Sequence, residues 1–448
     1  MGASEALFKN EDGMAVMKVA IIGAGFTGLA TAYELAVAGC EVVVLEKNSQ
    51  PGGLASGFTQ EDWSWALEHH YHHVFETDTA LKNWLKQLKL LDRLFYLSTK
   101  SYTLTEKGMN PLDSPLSLLT FPGLSFMSKI RTGLTLAFLK VWPWGQELER
   151  FTASSFIKTT MGEKSWKLLW QPLFAGKFGD QLAEEINAAW FWARINTRSK
   201  KLGYFKGGFL ELAKQLTEKN QGKGVKFRFE TAVERLEKAE GKFKLFYEKD
   251  DLESETFDQV IFTGNSQQLL DLVEDQLPEK YIQQLNELES LAAMTTVLVL
   301  DKPFFDQDIY WLNINRSNWP FLALVEHTNY IDNKHYSNQH LLYIAKYIDP
   351  ADELFKLDQA ELLAKYDSYL SQLSPDYKQH IKKIFAFKAK YAQPVVKKNH
   401  SRKLPSVVTP VKGLFFAGME HIYPFDRGIN YAVKLGRDTA QKVLHQAQ

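Results

Sequence analysis

A single cysteine, Cys40, is too few for an internal disulfide or a cysteine metal cluster. That scarcity fits a reducing compartment. A surplus of charge is missing too, because 53 lysines and arginines meet 53 aspartates and glutamates. No global field draws the chain to nucleic acid or to an acidic partner. No apolar run reaches the roughly 18 residues that span a bilayer. The longest, 121–144, is interrupted by Lys129, Arg131 and Lys140. Residues 1–16 lack the basic start and apolar stretch of a secretory signal and read as a flexible tail. P-loop, zinc-ligand spacing, Ser–His–Asp order and paired carboxylates are also absent, and no metal site is expected. The expectation is a cytoplasmic protein, with peripheral membrane contact through 121–144 left open and no oligomeric state indicated.

What is present is a chain of 448 residues, 45% apolar and 24% charged, long enough for two packed domains. Met17 to Ile22 is a β-rich apolar run that leads into Gly23-Ala24-Gly25-Phe26-Thr27-Gly28. Leu29 to Ala38 follows with a helical pattern closed by Gly39, and Glu41 to Leu45 is a second strand ending on Glu46 and Lys47. This is a complete βαβ unit of the dinucleotide-binding kind. Gly23 allows the tight turn, Gly25 lets backbone approach a pyrophosphate, and Gly28 lets the helix pack on the strand. The helix N-terminus offers free N–H groups to phosphate, and Glu46 is placed to accept ribose hydroxyls. The unit by itself does not choose between FAD and NAD.

Pro51-Gly52-Gly53-Leu54-Ala55-Ser56 follows the acid within a few residues. Here the chain resembles the FAD-dependent superfamily of amine oxidases, protoporphyrinogen oxidases and phytoene desaturases, whose Gly-Gly turn lies near the pyrophosphate and flavin. Leu54 stands where many members carry arginine, a departure from the amine-oxidase branch. Gly203 to Phe209 is similar to the family's Tyr-x-x-Gly-Gly turn, where the chain re-enters the cofactor domain and begins a helix over Phe209 to Leu216. Val225 to Phe229 reads as a strand, and Thr231 to Leu236 resembles the segment whose valine, here Val233, lies against adenine. Phe257 to Thr263 resembles the strand that closes the cofactor sheet. Gly413 to Gly418, then Arg427-Gly428-Ile429-Asn430 opening a helix through Ala440, resemble the family's second cofactor motif. The resemblance implies ribityl and pyrophosphate contacts at Gly418 and a helix N-terminus aimed at the flavin pyrimidine ring. Met419 occupies the usual place of a ribityl-binding acid, with Glu420 one residue later, so either Glu420 substitutes through a shifted loop or backbone alone makes that contact.

Four of the eleven histidines fall in Glu68-His69-His70-Tyr71-His72-His73. The family's acid-x-Gly-x-His segment beside the flavin matches Glu68, His70 and His72, which makes His72 the candidate for orienting substrate or moving a proton. Strand alternation sends His70 and His72 to one face. A metal site and a merely hydrogen-bonded segment are the alternatives. Apolar residues over 126–141 have helical spacing, which predicts a helix packed on its own core, with a membrane interface beside Trp142 and Trp144 as the other reading.

The resemblance implies an α/β fold in which an FAD-binding Rossmann-like GxGxxG domain (17–89, 197–291 and 394–448) carries a discontinuous, mixed α+β substrate domain (90–196 and 292–393). It implies an FAD-dependent oxidoreductase that takes hydride from a C–N or C–C bond of an apolar small molecule, with oxygen or another acceptor restoring the flavin. Cys40 lies far from any flavin-edge motif, so the FAD is expected to be non-covalent. Two alternatives stay open: a sugar-nucleotide mutase resembling UDP-galactopyranose mutases, with Arg194, Arg198, Arg402 and Arg427 on a diphosphate, and a flavin-bound escort or scaffold.

Overall fold

The computed structural model describes residues 16–248, 252–316 and 318–447. Most of the tail expected over 1–16 therefore lies outside the described residues. A five-stranded parallel sheet runs in the order Lys226–Arg228, Glu41–Leu45, Lys18–Ile22, Gln259–Phe262, Leu414–Phe416. Its central strand is apolar on both faces, and Val19, Ala20 and Ile21 have no exposed surface, as a doubly covered parallel strand requires. Helices Phe26–Val37 and Ile429–Ala447 cover one face, where Leu35, Ala440 and Val443 meet Val19 and Ile21. An antiparallel meander of Ala232–Ala239, Lys242–Glu248 and Leu252–Phe257 covers the other, through Leu236, Phe243 and Leu245. The helix expected from Leu29 begins three residues earlier, at Phe26, so its first turn borders the glycine loop.

The second large sheet has seven strands, ordered Ile381–Pro394, Ser290–Leu300, His340–Ile348, Ala323–Glu326, Ile309–Ile314, Lys100–Thr105, Gly108–Pro111. All its pairings are antiparallel except Ile309–Ile314 with Lys100–Thr105. Helix Gln359–Leu373 packs on one face through Leu362, Tyr366 and Leu370. A helical lobe is built around Ile157, Trp166, Phe174, Phe178 and Trp190.

One helix of that lobe overturns an expectation. Phe126–Val141 is a helix as the spacing predicts, but it does not turn its apolar side to the core. Its buried side includes Thr132, whose hydroxyl meets Ser165 Oγ at 2.9 Å, and Leu139. Phe126, Met127, Leu134, Phe138 and Val141 are all exposed, Val141 by 77%. Sequence spacing gives the stripe without saying what covers it, so the helix forms as expected while its apolar side faces outward.

The histidine segment departs as well. Leu67–Glu68 pairs with Gly57–Phe58 and Val74–Phe75 pairs with Lys201–Phe205, but 69–73 is neither strand nor helix. Alternation therefore does not set its side-chain directions.

Candidate functional site

The glycine turn is built from three different steric demands. Gly23 has φ +108°, and a Cβ there would come within 2.5 Å of Thr263 Oγ1. A Cβ on Gly28 would sit 2.0 Å from the Gly23 carbonyl oxygen, which enforces the close crossing of helix and strand. Gly25 is the opposite case: a Cβ would meet only Gly53 Cα, at 3.9 Å, so the space above it is open. Helix Phe26–Val37 starts there with no side-chain cap and no acid in its first turn. Free N–H groups and the positive helix end thus face an open cradle, the setting that suits a pyrophosphate.

At the end of the second strand Glu46 is 6% exposed. Its carboxylate accepts from Ala24 N at 2.8 Å and from Asn48 N and Nδ2 at 2.9 and 2.7 Å. Those bonds hold it at the mouth of the turn with lone pairs left over for hydroxyls.

Glu68, 1% exposed, accepts from Tyr204 Oη at 2.9 Å and Phe209 N at 2.8 Å. It thereby caps helix Phe209–Gln221 and ties the histidine segment to the Tyr204–Gly208 turn. Burial pushes its carboxyl up to about 7 against the pull of those donors. Tyr343 Oη donates to the Glu68 carbonyl at 2.7 Å, and His70 Nδ1 lies 2.7 Å from Thr295 Oγ1. His72 Nδ1 reaches the His70 carbonyl at 2.5 Å, so it carries the proton and Nε2 is the free acceptor. Burial and the Arg427 charge pull His72 down to about 4, so at neutral pH it is a neutral imidazole. It is suited to orienting a donor rather than to storing a proton.

These features border one cavity of about 1050 Å³, at the upper end of the size expected of small-molecule and cofactor sites. Gly23, Gly25, Phe26, Thr27, Glu46 and Lys47 line its start, with Val233 beside them. Gly53, Leu54, Ala55, His70 and His72 follow, then Met419, Glu420, Gly428 and Ile429. His69 also lines it, stacked between Phe58 and Phe387.

Five expected contacts lie off the wall. Ala24 and Gly28 are spent inside the turn, as above. Asn430 Oδ1 accepts from Leu81 N at 3.0 Å, joining two helices instead. Gly418 is enclosed, since its Cβ would meet Glu420 Oε2 at 2.4 Å and Gly264 O at 2.6 Å. Tyr71 turns its ring onto Trp311, 4.8 Å between centroids.

Glu420 lines the wall beside Met419. Its Oε1 accepts from Asn265 Nδ2 and Ser266 N at 2.7 and 2.9 Å. Its Oε2 is buried without a partner among the described residues, and burial raises its pKa. An acceptor set beside the cavity in this way fits a hydroxyl-bearing ligand. Thr263, Gly264 and Asn265, which the sequence reading missed, also line the wall. Their signal was present: they follow directly on a parallel strand's carboxyl end, where α/β sheets bind ligands.

The far end of the cavity is cationic. Arg427 lines it, its guanidinium over the Tyr347 ring at 4.9 Å and bonded to Tyr347 Oη and the Ala392 carbonyl. Next to it Asp426 takes Lys177 at 2.8 Å and Arg194 at 3.2 Å. Burial alone would raise Asp426, but Lys177 and Arg194 outweigh it and hold the carboxyl well below its usual range. Burial pulls Lys177 down to about 7 despite that partner. Arg198 completes the group from an exposed position. Of the four arginines considered for a diphosphate, three thus converge, and Arg402 lies exposed on another turn. No group of three or more metal-ligating side chains occurs among the described residues.

The family model of flavin containing amine oxidoreductases matches residues 26–444. A 15-cis-phytoene desaturase of Synechococcus elongatus is 27% identical over 157 residues, which span 32% of this chain and 33% of the desaturase. An L-amino-acid oxidase of Sistrurus catenatus edwardsii is 48% identical over 46 residues, 10% of this chain and 9% of that protein. The chain therefore aligns with a third or less of each of these relatives. Among solved structures, a proposed protoporphyrinogen oxidase of Exiguobacterium sp. 255-15 superposes with TM-score 0.74 at 17% identity, covering 96% of this chain and 99% of that one. Cyclohexylamine oxidase of Brevibacterium oxydans IH-35A gives TM-score 0.70 at 15% identity, with 96% and 99% covered. At such identities the structural likeness speaks for the fold alone, while the family match runs over most of the sequence: the chain belongs to the flavin-containing amine oxidoreductases.

Proposed function

We propose that the protein binds FAD non-covalently along the cavity and oxidises a C–N or C–C bond of a small molecule held at its His70, His72 and Arg427 end. The observation that carries this reading is the continuity of the cavity from the open Gly25 cradle to the His72 Nε2 acceptor. When bound, the flavin supplies the two-electron acceptor of the reaction. Phosphate is held by the N–H groups at the start of helix Phe26–Val37, ribose by Glu46, and the ribityl chain by Glu420 Oε2. Helix Ile429–Ala447 has no acid in its first turn, so its positive end favours negative charge next to it. His72 Nε2 accepts a hydrogen bond from the substrate, and Thr295 fixes the neighbouring His70 ring. Non-covalent attachment rests on Cys40, which does not line the cavity and whose thiol burial pushes up to about 11.

A second reading draws on the convergence of Arg194, Arg198 and Arg427, the groups a sugar-nucleotide mutase needs for a diphosphate. Anaerobic bleaching of the flavin by a panel of amines, polyenes, porphyrinogens and nucleotide sugars separates the two. Bleaching by an amine, polyene or porphyrinogen is the expected result. A protein bleached by none of these, yet isomerising a nucleotide sugar once dithionite-reduced, would replace the oxidoreductase reading.

A further inference from the structure

The charges at the far end of the cavity do not balance. Lys177, Arg194, Arg198 and Arg427 stand around one carboxylate, Asp426, and the two nearby phenols, Tyr71 and Tyr347, are held neutral by burial. The Lys177 and Arg194 side chains are only 6% and 17% exposed. Both share the same Asp426 oxygen, while Arg198 and Arg427 form no ion pair among the described residues. Of the four, Arg427 lines the cavity, Lys177 and Arg194 stand behind it, and Arg198 is exposed beside them; an unpaired cation in a cavity wall is where a ligand brings the missing charge.

We propose that Arg427, Arg198, Arg194 and Lys177 seat an anionic group of the substrate, a carboxylate or a phosphate, beside the flavin end of the cavity. The seat rests on the reading of this cavity as the flavin site. Apolar surface borders it, since Leu54, Tyr391 and Ile422 line the same cavity as Arg427. The substrate class is therefore an apolar or aromatic body carrying an anionic head. Guanidinium groups favour the planar two-oxygen contact that both carboxylate and phosphate provide.

The test uses one ring with three charges. The holoprotein is titrated with benzoate, phenyl phosphate and benzylamine, followed by the flavin absorbance and by thermal shift. At least one anion is expected to bind and benzylamine is not; the tighter of the two anions names the head group. Arg198→Gln is expected to weaken the anion at least tenfold with flavin content unchanged. Benzylamine binding as well as the anions, no anion binding at all, or an Arg198→Gln affinity within twofold of wild type would each overturn the seat. A preparation without flavin would defeat the flavin reading alone, because thermal shift still reports the anion.

A separate observation concerns the helix Phe126–Val141 with its apolar side outward. Among the described residues, nine of the eleven exposed large apolar side chains fall between Leu116 and Phe151. At about 3.6 residues per turn, Phe126, Met127, Ile130, Leu134, Phe138 and Val141 form one stripe. Lys129 and Lys140 flank it on one side and Arg131 on the other. From Ser114 to Gln146 there are these three cations and no carboxylate. Their head groups reach carbonyls of Leu119, Thr160 and Asn196 while their stems border the stripe.

We infer that this face docks on the surface of an anionic lipid bilayer. Basic flanks, an apolar stripe and tryptophans at one end are the composition of an interfacial helix, and no helix of the described residues is long and apolar enough to cross a membrane. A second copy is disfavoured, since a two-fold contact would place the same three cations against themselves. The helix packs on Ala188–Thr197, which carries Arg194, so the docked face and the anion seat share one support.

Flotation with vesicles of phosphatidylglycerol and phosphatidylcholine in equal parts tests this. Wild type is expected to float, and the double variant Leu134→Glu/Phe138→Glu to stay behind with unchanged flavin content and melting temperature. No flotation of wild type, undiminished flotation of the variant, or a wild-type dimer in solution that the variant dissolves would each contradict a lipid partner.

Discussion

Gly25 has φ −69° and ψ 173°, extended backbone that any residue adopts, and open space where a side chain would go. Gly25→Val should therefore fold while placing methyl groups in the phosphate cradle. The purified variant is expected to lack flavin absorbance and keep the melting temperature of flavin-stripped wild type; a full flavin spectrum would move the phosphate elsewhere. Glu46→Gln keeps shape but loses charge-assisted bonds worth about 1.5–3 kcal/mol, so FAD should dissociate roughly tenfold more readily or worse. An unchanged dissociation constant would relocate the ribose. His72 lines the cavity and His73 does not. His72→Ala is expected to alter the bound-flavin spectrum or its reduction rate at near-normal flavin content, and His73→Ala to leave both unchanged, which difference spectra would show.

At the scale of elements, the joint between Glu68, Tyr204 and Phe209 N organises the site. Tyr204→Phe removes a hydroxyl from a fully buried carboxylate and should cost about 1–3 kcal/mol in urea unfolding, with little change in the flavin spectrum. A loss below about 0.5 kcal/mol would mean that the backbone bond to Phe209 suffices. The two motifs this joint connects, around Glu68 and around Tyr204, were visible in the sequence, but the bond between them was not. The βαβ unit was legible because its strands, turn and acid lie within thirty residues and each has a local signature. The histidine loop was misread because its shape is set by Thr295 and Tyr343, which arrive from strands more than two hundred residues away. The outward helix was misread because spacing is blind to facing.

Across the whole molecule, the cationic seat draws on Lys177, Arg194, Arg198 and Arg427, scattered in sequence and joined only by the fold. Three of them could be singled out beforehand as arginines, but Lys177 and the shared Asp426 could not. Buried neutral histidines give a second global property. Burial lowers His70 well below its usual value, His72, His400 and His421 to about 4, and His73 and His327 to about 3. The unfolded chain takes up these protons first, so their contribution is intact above about pH 6.5 and is lost as pH falls toward 4. Glu68 and Glu326, raised to about 7 by burial, Asp78, raised to about 6, and Glu420, also raised by burial, work in the opposite sense, stabilising as pH falls through that range. Because the lowered histidines outnumber the raised carboxyls, the melting temperature at saturating flavin should drop between about pH 6.5 and about pH 4.5. A flat or rising profile would show that these histidines are protonated in the fold.

The central claim is a dissociable FAD in the cavity that begins at Gly25. The direct measurement is to denature the purified protein, separate it from small molecules, and identify the released chromophore by mass and by stoichiometry. The account expects close to one FAD per chain in the small-molecule fraction and none on the polypeptide. Absence of flavin after reconstitution with FAD, release of FMN instead, or a chromophore that stays with the chain would contradict it.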